Sequence, residues 1–292
     1  MINKLAVIIP FYNQSEMTKI CINSIISQNI KYKIILYLVD DGSDIEHQEQ
    51  IKAYLHSKHE KVEYKYIRGD GTWWWAKSLN MGLKLAYQDG NELFLIINND
   101  NRLGESNLKY LMRIFIDNNL DILGSIVVFK NDLIKHYGVT FNPNNGKIIH
   151  NLSTQNINNI YFSQEFIKTD SLGGQGVLIN RNVINRLGYL DDKIFPQYGS
   201  DLDYYLRAKE LGINIYITHL CKVVDDEDST GLLKNRRNLS LVNFIRSFYS
   251  KKSHMSFSVK FNIYKRHVKN YFYIKLLFLY IKYIIRFFLR RL

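Results

Sequence analysis

Three groups of acids and amides fall where apolar runs end or a helical pattern begins. Asp40-Asp41 follows ILYLV, Asn98-Asn99-Asp100 follows LFLII, and Asp201 and Asp203 come just after Tyr198-Gly199-Ser200. Carboxylates and amides at the exit of a buried strand supply hard oxygen donors. Mg²⁺ and Mn²⁺ take such donors when phosphates complete the shell. Two adjacent acids at a strand end also suit a nucleobase imide and a ribose. Turn chemistry accounts equally for Asp40-Asp41 and for 98–100, because Asp, Asn and Ser stabilise tight turns without a ligand. Asp201 could likewise be a helix N-terminal acid favoured by the dipole.

The stretch GDGTWWWAKSLNMG, residues 69–82, holds all three tryptophans of the chain. Indole offers a broad apolar face and a single N–H donor, which suits the flat C–H face of a sugar. Consecutive residues at a helix entry cannot all face one way. The expectation is one tryptophan buried and one in a cleft, with Trp74 assigned to the cleft. The Gly69-Asp70-Gly71 turn would let the backbone come close to a ligand.

The elements that must position these residues alternate through the first half. Apolar, β-rich runs at 5–9, 34–39, 62–67 and 93–97 are separated by helical patterns at 15–27 and 76–87. That rhythm predicts an α/β fold with a mostly parallel sheet covered on both faces, and ligands in such sheets bind beyond the carboxyl ends of the strands. Further strands are expected at 122–129 and 177–179 and helices at 181–187 and 201–211. The Asn-rich stretch 142–159 reads as loop. The first strand-to-helix turn, PFYNQS, has no glycine, and no GxxxxGK[ST] occurs, so a dinucleotide fingerprint and a P-loop are both absent. PFYNQS also lacks the glycine-rich basic loop that a sugar nucleotidyltransferase would need.

In order and spacing, VIIPFYN, LVDDGS, IINND and YGSDLDYYLRAKELG resemble the inverting family 2 glycosyltransferases of GT-A fold, over about residues 4–230. GDGTWWWAKSLNMG is similar to a bacterial polysaccharide subgroup that includes rhamnosyltransferase-like members. The resemblance implies that Pro10, Phe11 and Asn13 line a nucleotide pocket, with Asp40 and Asp41 reaching base and ribose. Asp70 and Asn80 would lie along the path of a nucleotide-sugar donor. Asn98-Asn99-Asp100 stands at the family's DxD motif, with Asp100 as ligand to a divalent cation (Mg²⁺ or Mn²⁺). Asp201 would be the catalytic base, with Asp203 and Arg207 continuing its motif and Asp203 reaching the acceptor. Gly173, Gly174 and Gln175, in a GGQG run, would leave room for an acceptor beside Asp201 or make a plain tight turn. The chain departs from the family in three places. Asn98 replaces the first acid of DxD, and Ser200 replaces the Glu before the base. Val223-Val224-Asp225-Asp226 stands where relatives place a His; His219 is near but not aligned, so no third metal ligand is assigned. A non-catalytic glycan-binding domain would keep the tryptophans and is the other reading.

Charge divides the chain. Residues 232–292 hold 15 of the 39 Lys and Arg and no acid, leaving 24 basic and 27 acidic residues before them. The division predicts a domain over 1–231 and a basic, aromatic tail over 232–292. In 271–292, Lys275, Lys282, Arg286 and Arg290 recur at helical spacing among Leu, Ile, Phe and Tyr. No uncharged run approaches the ~20 residues of a membrane span. The tail is expected to lie on an anionic membrane surface; docking on its own domain is the alternative, and its wide apolar face argues against nucleic acid. Two isolated cysteines, Cys21 and Cys221, fit a reducing compartment, and residues 1–13 enter a strand pattern at once rather than a signal sequence. The expected place is therefore the cytoplasmic face of a membrane, with a glycan or lipid-linked glycan as acceptor.

Overall fold

A computed structural model describes residues 3–58, 62–225 and 240–289. Strands β1 (Lys4–Phe11), β2 (Lys33–Asp40), β3 (Glu63–Arg68) and β4 (Leu93–Ile96) are linked by helices α1 (Ser15–Ile26), α2 (Ile45–His56) and α3 (Trp74–Gln88). Next come β5 (Asn101–Leu103), α4 (Asn107–Asp117), β6 (Ile122–Phe129), β7 (Ile134–His136), β8 (Val139–Asn142), β9 (Lys147–His150), β10 (Phe166–Lys168) and β11 (Val177–Asn180). Helices α5 (Arg181–Leu187) and α6 (Ser200–Glu210) lead into β12 (Ile215–Asp225), and α7 (Leu241–Ser247), α8 (Phe257–His267) and α9 (Phe272–Leu289) end the described chain.

The main sheet has the order β10-β12-β6-β11-β4-β1-β2-β3. The β4-β1-β2-β3 portion is parallel, and β12 is parallel to β6; β11 opposes both its neighbours and β10 opposes β12. The direction of β11 follows from where it starts. Gly176 donates its N–H to the Ile96 carbonyl, and its own carbonyl accepts from Ser125 N–H. The glycine run thus sits at the rim where β4 ends, and the chain must descend from there. Gly176 has φ +72°, and a Cβ there would lie 2.5 Å from Val223 Cγ2, so both conformation and space require glycine.

Alternation along β1 sorts its side chains onto two cores. Leu5, Val7 and Ile9 pack in a cluster with Ile22 and Ile25 of α1, Leu55 of α2 and Met112 of α4. Ala6 and Ile8 pack in the other, with Leu79 and Leu83 of α3 and Tyr204 of α6. This is why the strand reads as one continuous apolar run. Gly82 lets α3 approach closely, since a Cβ there would lie 2.6 Å from Ile8 Cγ2. One expectation fails: the stretch assigned to loop contains the antiparallel hairpin β8–β9. Its turn carries Asn144-Asn145-Gly146, with Gly146 at φ +70°, a hairpin signal that outweighs the Asn-rich composition.

The C-terminal helices are packed into the domain. Val259 and Ile263 of α8 and Leu276 of α9 share a buried cluster with Phe141, Phe195 and Leu206. A fully buried carboxylate fastens the same contact. Asp203 accepts from Arg207 Nε at 2.8 Å and Arg266 Nη1 at 2.9 Å, and lies 3.0 Å from His267 Nε2. Asp203 is therefore not available to an acceptor, as the family motif implied; burying it made these partners necessary. The expected boundary at 231/232, together with Asp226 and Arg290, lies outside the described residues.

One stripe of α9 docks inward through Leu276 and Phe287, with Phe287 stacked on Phe244 of α7 at 4.0 Å. The opposite stripe, including Leu277, Phe278, Ile281, Ile285 and Phe288, is exposed. Exposed Leu241, Val242 and Ile245 of α7 and Phe257 add to it. The docked stripe matches the alternative reading of the tail. No helix among the described residues is long and apolar enough to cross a membrane.

Burial raises the Asp203 pKa, but hydrogen bonds from His267, Arg207 and Arg266 outweigh it and hold the carboxyl below its ordinary value. Burial pulls His267 down, yet Asp203 and Glu210 carry it above its ordinary value. The Asp contribution is present above about pH 3.9 and is lost as pH falls through its lowered pKa. The His contribution is full below about pH 6.5 and fades as pH rises through its raised pKa. Replacing Asp203 by Ala should cost about 3–5 kcal/mol near pH 5–6, the range for breaking a buried ion pair. Denaturant unfolding should show the gap from the parent narrowing at both pH extremes.

Candidate active site

A cavity of about 640 Å³ opens at the rim where β4 and β12 end and β11 begins. Asn98, Asp100, Gly173, Gly174, Gln175 and Asp201 all line it. The sequence clusters at 98–100, 173–175 and 201 thus meet in space, brought there by three separate elements.

Trp75 is the residue around which they gather. Its indole Nε1–H donates to Asn98 Oδ1 at 2.8 Å, and its backbone N–H donates to Gln197 Oε1 at 3.2 Å. A Cβ on Gly174 would lie 2.1 Å from Trp75 Cζ2, so the glycine backbone lies directly against the indole. The cleft tryptophan is therefore Trp75, not Trp74. Trp74 adopts φ +59°, and Lys251 and Lys252 sit over its ring at 5.7 and 5.8 Å. Trp73 covers Gly69, where a Cβ would lie 2.9 Å from the ring. None of the three is fully buried. The close approach permitted by the Gly69 turn is to the protein's own Trp73 and Asp41.

Asp41 explains how the helix entry is held. Its Oδ1 accepts from Gly71 N–H and Trp73 N–H, both at 3.1 Å, and its Oδ2 from Trp74 N–H at 2.8 Å. It caps α3 from 30 residues away in the chain. Burial raises its pKa, and those three N–H groups oppose the rise. Asp40 accepts from Ser43 N–H at 2.8 Å and from the Tyr66 hydroxyl. For this pair the turn-chemistry reading describes the hydrogen bonds present.

Other candidates lie off the cavity wall. Phe11 is buried in the α1-side core, edge-on to Tyr66, and Pro10 is buried in β1. Asn13 exchanges hydrogen bonds with Asp44. Asp70 accepts from Thr72 N–H and Oγ1–H, which hold its carboxyl below the ordinary range. Asn99 turns to Thr18 Oγ1 at 3.1 Å. Asn80 is buried, donating to the Leu190 carbonyl and Asp192 and accepting from Leu190 N–H. Asn80 thus corrects the expected donor contact: it fastens the loop before α6, because its carboxamide is fully engaged there. His219 stacks on Phe162 at 4.1 Å, also away from the cavity.

Asp201 is half-buried on the cavity wall in the first turn of α6, where its Oδ1 accepts from Leu202 N–H at 2.8 Å. Burial pushes its pKa up despite that bond. The helix cap, Gly199, has φ +85°, and a Cβ there would lie 2.8 Å from Val259 Cγ1 of α8. Several cavity residues carried no sequence signal specific enough to assign. Asp225, at the end of β12, is almost fully buried; Oδ2 accepts from Lys135 Nζ at 2.5 Å and from Gln175 Nε2. Its Oδ1 is buried with no hydrogen-bond partner. His136, at the end of β7, and His150 of the β8–β9 hairpin meet edge to face at 6.2 Å, and burial brings His136 down to about 4. Lys252, His254 and Lys260 come from the basic tail. Among the described residues no group of three His, Cys, Asp or Glu is arranged around one point for a metal.

Residues 6–176 match the family model described as glycosyl transferase family 2. Chondroitin synthase of Pasteurella multocida (strain Pm70) is 24% identical over 229 residues, 70% of this chain and 22% of that protein. The chain therefore spans about a fifth of that relative's length. GalNAc-T7, crystallised with UDP, GalNAc and Mn²⁺, superposes with a TM-score of 0.60 at 15% identity, covering 85% of this chain and 50% of that one. Mannosyltransferase PcManGT from Pyrobaculum calidifontis, in complex with GDP-Man and Mn²⁺, gives 0.55 at 14% identity, covering 86% and 65%. S. aureus TarS 1–349 gives 0.52 at 14% identity, covering 87% and 68%. At these identities the structures share the fold, and that fold is GT-A. With more than half of its length matched by the family model, the chain belongs to glycosyl transferase family 2.

Proposed function

We propose that the chain transfers a sugar from a nucleotide-sugar donor to a glycan acceptor in a single inverting displacement, with Asp201 as base. The observation that carries this is the shared cavity of Asn98, Asp100 and Asp201, residues a hundred positions apart. An acceptor hydroxyl is a poor nucleophile. A carboxylate within hydrogen-bond reach takes its proton as the oxygen bonds to the anomeric carbon and the bond to the departing nucleoside diphosphate breaks. The raised pKa of Asp201 makes it a better proton acceptor than an ordinary carboxylate. With a single base assigned and no second carboxylate as nucleophile, one displacement is favoured over two. Trp75 offers its indole face to the transferred sugar.

The residues present fit a divalent cation. Asp100 and Asp225 line one cavity, and the orphaned Asp225 Oδ1 is a buried oxygen lacking a partner. Asp100 and Asp225 would hold the ion, with phosphate oxygens completing the shell. Its chemistry would be neutralisation of charge on the leaving diphosphate. Support comes from GalNAc-T7 and PcManGT, both crystallised with Mn²⁺ and a nucleotide or nucleotide sugar.

We also propose that the protein sits peripherally at the cytoplasmic face of a membrane and takes a lipid-linked acceptor in polysaccharide synthesis. The exposed apolar stripe of α9 adjoins basic Lys282 and Arg286, an interfacial arrangement. Lys252, between α7 and α8, lines the cavity, so the lipid-facing surface and the reaction site share a segment.

Asp201→Asn should lower transfer by about 10²–10⁴-fold while leaving nucleotide binding intact, read by turnover and titration calorimetry. Because burial raises its pKa, the acidic limb of kcat/KM in the parent should lie above the ordinary carboxylate value of about 3.9. A limb at or below that value argues against Asp201 as base. Asp225→Asn should weaken Mn²⁺-dependent nucleotide binding with little effect on metal-free binding. Phe278→Glu with Ile281→Glu should abolish co-sedimentation with anionic phosphatidylglycerol vesicles, while turnover on a water-soluble acceptor persists. Retained sedimentation would refute the tail reading.

A further inference from the structure

One wall of the cavity carries a cation that no described residue neutralises. Lys260 of α8 is half-buried, lines the cavity, and makes no hydrogen bond or ion pair among the described residues. The other cavity lysines are engaged: Lys135 pairs with Asp225, and Lys252 lies over Trp74. Among the described residues Asp201 makes no ion pair with Lys260; its carboxylate accepts from backbone N–H groups, that of Leu202 at 2.8 Å. Burial lowers the Lys260 pKa, as expected for an ammonium withdrawn from water without a partner.

Its position indicates which substrate meets it. The residues flanking it on α8, Val259 and Ile263, pack with Phe141 and Ile148 of the β8–β9 hairpin. That wall is built from the tail and hairpin, whereas Asn98, Asp100 and Asp225 stand at the ends of β4 and β12. Val259 also abuts Gly199, the cap of the helix bearing Asp201. An ammonium held in such a wall is costly unless an anion joins it, and lysine is a point charge that accepts carboxylate or phosphate alike.

Resting on the glycosyltransferase reading above, we propose that Lys260 recognises an anionic group, carboxylate or phosphate, on the acceptor, so that this enzyme extends an acidic glycan. Binding replaces a lone cavity cation by an ion pair next to the attacked hydroxyl. Neutral glycans gain no such contact and leave the ammonium unpaired.

The test uses three tetrasaccharides of matched length: neutral, uronate-bearing and phosphate-bearing. The full chain and its Lys260→Gln and Lys260→Arg variants are titrated by fluorescence, since all three tryptophans are at 73–75. UDP, GDP and dTDP with Mn²⁺ are titrated in parallel. The expected result is at least tenfold tighter binding of one charged tetrasaccharide over the neutral one. Lys260→Gln should lose that preference, Lys260→Arg should keep most of it, and nucleotide affinity should stay within twofold throughout. The two charged arms separate uronate from phosphate as the source. The proposal is overturned if the parent shows no charge preference, if Lys260→Gln retains it, or if Lys260→Gln weakens nucleotide as much as glycan. Absence of any nucleotide binding by the parent would count against the donor reading, and the glycan arms would still decide this one.

Discussion

The contact between the Trp75 indole and the Gly174 backbone holds the site together. It locks the helix entry of α3 to the glycine run before β11, and the same side chain reaches Asn98 through its N–H and the loop before α6 through its amide. The end of β4, the loop before α6 and the glycine run before β11 thereby share one rigid reference. Because the aromatic plane fills the volume where a Cβ would stand, no residue but glycine fits position 174 without displacing that reference. Asp41 performs the complementary task from below, fixing the N–H groups of Gly71, Trp73 and Trp74 so that the indole leaves the helix at a set angle.

Much of the fold was legible because the first strands obey period-two burial on two faces and their helices obey the helical period. The same reasoning located the rim. Its limits are physical. Which of three adjacent tryptophans points into the cavity depends on the left-handed backbone at Trp74, which sequence pattern does not encode. The direction of β11 depends on where Gly176 finds its hydrogen-bond partners, on the two flanking strands β4 and β6. Composition misled at the β8–β9 hairpin, where the Asn-Gly turn was the better guide.

Site residues divide along similar lines. Asp100 and Asp201 could be placed from their positions after a strand and at a helix start. Asp40, Asp41, Asn80 and Asp203 have residue types equally suited to ligands and to structure, and here their oxygens and nitrogens meet protein groups. Only three-dimensional neighbours distinguish the two. Asp225 and Lys260 stand out for the converse reason: each has an atom without a partner among the described residues.

Asp203, two residues beyond Asp201, ties α6 to Arg266 and His267 at the end of α8. The charge asymmetry that separates tail from domain in the sequence therefore does not mark a mechanical seam. A chain cut short before α8 would leave that buried carboxylate with Arg207 as its one remaining partner among those described, inside the helix that presents Asp201. Loss of catalysis on deletion would then report an unmoored helix rather than detachment from lipid, and only exchange of outward-facing side chains on α9 separates the two.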